Sequence, residues 1–73
     1  MTCTFTLVST PDLDVVGYVF WLRNLASDRN EAANARTYAA ETWPALPAAA
    51  IDAMFGAMPK VNHADRSVVV AVA

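Results

Sequence analysis

Residues Thr2 to Ser9 alternate in character, with Cys3, Phe5 and Leu7 on one side and Thr4, Thr6 and Val8 on the other. A period of two is that of a half-buried strand, so this segment is read as the first strand. Thr10, Pro11 and Asp12 then supply turn chemistry, since Pro fixes φ and Asp can bond its own backbone. From Val15 to Leu22 the chain is apolar without a break apart from Gly17. Periodicity does not separate helix from strand in such a run. Its length and its Val and aromatic content favour a second strand, and the alternative is a helix capped by Thr10 with Pro11 at its first position.

Ser27 followed by Asp28 resembles a helix N-cap with an acid in the first turn, where the helix dipole favours negative charge. A helix is expected from there to about Thr42. Its apolar stripe, Ala32, Ala35, Ala39 and Trp43, is built mostly of small residues that allow close approach to a neighbouring layer. Asp28, Arg29, Glu31, Asn34 and Arg36 form much of its polar side. Pro44 to Pro47 ends this helix and starts another, because proline is tolerated in a first turn and not in an interior. From Pro47 to Met58, Ile51, Met54, Phe55 and Met58 fall at i, i+3, i+4 and i+7, the strongest helical pattern in the chain. The opposite side, Ala49, Ala53, Gly56 and Ala57, carries no charge cluster besides Asp52. Pro59 terminates the helix, Lys60 to Arg66 reads as a polar connection, and Ser67 to Ala73 as a Val-rich terminal strand.

The expected architecture is a single α+β domain over residues 1–73, a small three-stranded antiparallel sheet with two helices on one face in the order β-β-α-α-β. That arrangement leaves apolar rows uncovered. As a strand, Val15 to Leu22 would turn Val15, Val19 and Trp21 to one side and Val16, Tyr18, Phe20 and Leu22 to the other. Val69 and Ala71 of the last strand face away from Val68, Val70 and Val72 in the same manner.

Composition sharpens this conflict. Of the 73 residues, 56% are hydrophobic, above the roughly 45–50% of ordinary domains. A chain of this size buries only about 60% of its unfolded surface. Some apolar surface is therefore expected outside, where contiguous patches mark interaction sites. The net charge is −2 and Arg23, Arg29, Arg36, Lys60 and Arg66 are scattered, which argues against nucleic-acid binding, an affinity that rests on neutralising several phosphates at once. Seven dispersed carboxylates do not imitate a phosphate rail either. No apolar run reaches about 18 residues and no charged n-region precedes an apolar h-region, so neither the membrane nor export is expected. The single cysteine, Cys3, has no intramolecular partner and suits a reducing cytoplasm.

Catalytic chemistry finds little support. His63 and Asp65 form an H-x-D pair, which would suit a general base oriented by a carboxylate, but a solvated loop explains both. Cys3 alternates with Phe5 and Leu7 and reads as a small core hydrophobe. One His and one Cys sixty residues apart do not make a metal site. Asp12 and Asp14 are explained by the turn and the strand edge. With only Gly17 and Gly56, no phosphate-cradling loop is available. No catalytic residue, metal or cofactor is expected.

Aromatic and arginine residues are more informative, because Trp, Tyr and Arg combine large area with directional hydrogen bonding at interface hot spots. Tyr18, Trp21 and Arg23 fall at alternating or near-alternating positions on the expected second strand, and Arg29 and Arg36 lie on the first long helix. These five are the candidate partner-binding residues. The first three serve core or interface equally well on sequence grounds, while Trp43, at the helix end near Tyr38, is read as core.

In length, Ala-rich composition and lack of a catalytic constellation, the chain resembles the small host-takeover proteins of bacteriophages. The resemblance implies a protein-binding regulator in the bacterial cytoplasm, docking on the large subunits of bacterial RNA polymerase and interfering with σ-dependent transcription initiation. It assigns no individual residue. The alternatives are a structural homo-oligomer and an inhibitor of another host or defence complex.

Overall fold

The computed structural model describes residues 2–72. Six elements follow in order: β1 (Cys3–Val8), α1 (Val15–Ser27), α2 (Ala32–Thr42), α3 (Ala48–Met54), β2 (Lys60–Asn62) and β3 (Ser67–Val72). The chain is α+β with a three-stranded antiparallel sheet. β3 is central and the strand order is β1-β3-β2. The helices cover one face of this sheet, and Ala73, assigned to the terminal strand by sequence, lies outside the described residues.

β1 and β3 pair along their whole length, Cys3 opposite Val72 through Val8 opposite Ser67. On the helix side this aligns Leu7 with Val68 and Phe5 with Val70. Leu7, Val68 and Val70 are buried there with Val15, Val16, Val19 and Leu22 of α1, Ala35 and Ala39 of α2, and Ile51 and Met54 of α3. Thr4, Thr6 and Val8 face the other way and are exposed, as the alternation in β1 requires.

Val15 to Leu22 is helical, contrary to the strand reading, so the chain order is β-α-α-α-β-β. The reason lies beyond the run. Val15, Val16, Val19 and Leu22 are buried and Leu25 and Ala26 pack against the same core, which is the i, i+4, i+7 stripe of a helix once the window extends to Ser27. The first turn of α1 is held by Ser9, the residue after β1, whose Oγ accepts the Val15 N–H at 2.9 Å and donates to the Arg66 carbonyl at 2.6 Å. Thr10 and Leu13 exchange backbone bonds across the expected Pro11-Asp12 turn.

Other boundaries move for local reasons. Ser27 closes α1 instead of opening α2, its hydroxyl donating to the Arg23 carbonyl, and Asp28 accepts the Asn30 N–H in a side-chain turn. α2 consequently starts at Ala32. α3 stops at Met54, short of the expected Met58, which is among the most exposed apolar side chains. Gly56 and Pro59 do not sustain a helix there. The polar connection contains β2, whose three residues pair with Ser67 to Val69. Arg66 takes a φ of 54° at the end of the β2–β3 turn. Cys3, expected in the core, is exposed, because its end of β1 extends past the helical cover.

Candidate aromatic docking surface

α1 packs extensively against α2. Ala35 and Ala39 are completely buried in that seam, and their small side chains bring the two helices close enough for rings flanking it to meet. On α1, Tyr18 and Trp21 stand three residues apart and so share one stripe. On α2, Tyr38 stands four residues before Thr42, with Trp43 next.

The four rings form a continuous row. Trp43 meets Tyr18 edge-on with centroids 5.7 Å apart, Tyr18 stacks on Trp21 at 5.7 Å, and Trp21 stacks on Tyr38 at 5.9 Å with planes 17° apart. Aromatic pairs in this range contribute about 0.5–1.5 kcal/mol beyond area burial, so the row is pre-ordered. One hydrogen-bond chain fixes its inner end. Thr42 Oγ1 donates to the Tyr38 carbonyl at 2.8 Å, so its lone pair accepts the Tyr18 hydroxyl at 3.0 Å.

The two outer rings are more exposed than the two inner ones. Trp43 and Tyr18 are half-buried against the core, whereas Trp21 is 48% exposed and Tyr38 38%. Phe20, next to Trp21 on α1, is also exposed. A tryptophan held by rings on two sides with half its area in water is the feature an interface anchor requires.

The arginines go elsewhere. Arg23 Nη1 donates to the Met54 carbonyl at 2.7 Å and the Gly56 carbonyl at 3.2 Å, closing the C-terminus of α3. Arg36 pairs with Asp52, and its guanidinium lies over the Phe55 ring, 5.2 Å from the centroid. Arg29 stands exposed in the turn before α2. Of the five candidates, the structure thus gathers Tyr18 and Trp21, binds Arg23 and Arg36 to α3, and leaves Arg29 apart. Tyr38 joins the row although sequence did not assign it to the surface.

Other candidate chemistry is dispersed. His63 and Asp65 are exposed in the β2–β3 turn, and Asp65 accepts the Ser67 hydroxyl at 2.7 Å. Among the described residues no three His, Cys, Asp or Glu side chains cluster as metal ligands. Asp14 is engaged with Arg66, whose guanidinium holds its carboxyl below the usual aspartate range, the direct hydrogen bond being the larger cause. A cavity of about 300 Å³ opens beside the end of β3, between Ala53, Met58, Pro59 and Ala71. No helix is long and apolar enough to cross a membrane among the described residues.

No family model, characterised protein or solved structure matches the chain.

Proposed function

We propose that this protein is a non-enzymatic regulator that docks onto a protein partner through the aromatic surface of α1 and α2. The observation that carries the reading is the half-exposed Trp21 clamped between Tyr18 and Tyr38. A rigid aromatic anchor loses little side-chain freedom on binding, so more of its contact energy appears as affinity. The surface holds no basic residue, which favours a protein over a nucleic acid as the occupant.

The target to test is bacterial RNA polymerase, the partner implied by the chain's resemblance in size and composition to bacteriophage host-takeover proteins. Docking on its large subunits would interfere with σ-dependent initiation. The test adds the purified chain to in vitro transcription from a σ-dependent promoter. Transcript should fall in proportion to added protein, and Trp21→Glu should leave it unchanged. Full transcription at a large excess of the wild-type chain removes polymerase as the target.

A further inference from the structure

The two edges of the sheet are built differently. At one edge β2 is three residues long, carries Lys60 and is preceded by Pro59, the combination of shortness, charge and proline that natural sheets use to prevent strand addition. At the other edge β1 runs for six residues as CTFTLV, without charge or proline, in unbroken register with β3. β1 is an edge strand hydrogen-bonded to β3, and among the described residues no strand pairs with its outer side.

The direction of its backbone groups follows from the register. Ser9 donates its N–H to the Arg66 carbonyl at 3.2 Å. Odd-numbered residues therefore spend their N–H and C=O groups on β3, and Thr2, Thr4, Thr6 and Val8 direct theirs outward. On the helix side of the same strand, Phe5 is only half-buried and Cys3 is exposed. The open edge thus offers unused hydrogen-bonding groups beside apolar surface that the helices leave uncovered.

We propose that a second copy of this chain occupies this edge, β1 pairing antiparallel with β1 of its partner about a twofold axis to give a continuous six-stranded sheet. A neutral strand meets no like charge when it pairs with itself, although each chain carries a net charge of −2. Phe5 is the midpoint of Thr2 to Val8, so pairing the whole segment places Phe5 on the axis. Thr4 then bonds Thr6 of the second copy, Thr2 bonds Val8, and Phe5 faces Phe5 in a non-hydrogen-bonded pair. The contact is isologous and closes after two subunits, leaving the blunted β2 edges outermost.

Sedimentation velocity of the full chain at micromolar concentration reads the mass, expected at twice 7.8 kDa. Thr4→Lys combined with Thr6→Lys, both at exposed positions, brings lysines opposite one another across the axis and should return the mass to that of a monomer with an unchanged far-ultraviolet spectrum. Register is read separately by cysteine cross-linking. In a Cys3→Ser background, Phe5→Cys puts two thiols at a Cα separation of about 4.5 Å, within reach of a disulfide, and oxidised glutathione should convert it to a covalent dimer. Wild-type Cys3, opposite Leu7 of the second copy, should cross-link far more slowly. A wild-type chain that stays monomeric, or a dimer unaffected by the two lysines, overturns the proposal. So does cross-linking through Cys3 in preference to Phe5→Cys.

Discussion

Arg23 reaches from the middle of α1 to the last residue of α3, its guanidinium donating to the Met54 carbonyl at 2.7 Å. Helix ends leave four carbonyls without intrahelical partners, and a helix as short as α3 gains little from its own backbone. The arginine supplies what the sequence Gly56-Ala57 does not. Met54, completely buried, is thereby locked in the core. Arg23→Ala should lower stability by about 1.5 kcal/mol, the lower end for charge-assisted bonds because one of the two is open to water. Urea denaturation measures this, and hydrogen exchange should show the loss concentrated in α3.

The Asp14–Arg66 pair ties the start of α1 to the β2–β3 turn, and both side chains are about half exposed. A carboxyl whose pKa is depressed in the folded state adds stability above its unfolded pKa, which is lost as pH falls through the folded value. Stability should therefore decline from about pH 4 downward. Asp14→Asn should flatten that decline, and added salt should weaken the wild-type effect because the pair is open to screening. Denaturation midpoints across the acid range check the sign.

Neighbouring residues on α1 should respond in opposite ways. Leu22 is completely buried and Trp21 is 48% exposed. Leu22→Ala should cost about 2–5 kcal/mol through the cavity it leaves. Trp21→Ala should cost about 1 kcal/mol, set mainly by lost ring stacking. Equal losses would contradict the placement of these side chains.

Much of the sheet was legible because β1 alternates cleanly and β3 is rich in β-branched valine. The spacing of Ile51 and Met54 likewise located α3. The run from Val15 to Leu22 was not legible. Both its core side and its aromatic side are apolar, so the contrast that defines a period is missing until Leu25 and Ala26 are included. This misreading hid the site. On a strand, Tyr18 and Trp21 would face opposite ways, whereas three residues apart on a helix they form one stripe and reach Tyr38 across the buried Ala35 and Ala39. β2 was missed because Lys60-Val61-Asn62 is too short to show a period. The arginines were singled out for their chemistry, but Arg23 and Arg36 have local partners in Met54 and Asp52 that no sequence spacing announces.

The most direct test of the docking surface is the affinity of purified bacterial RNA polymerase core enzyme for the immobilised chain, wild type against Trp21→Glu, with melting temperatures compared in parallel. Loss of a hot-spot anchor is expected to weaken binding at least about thirtyfold, equivalent to about 2 kcal/mol, while the variant stays folded. Equal binding by the two chains would contradict the assignment of the aromatic row as the contact.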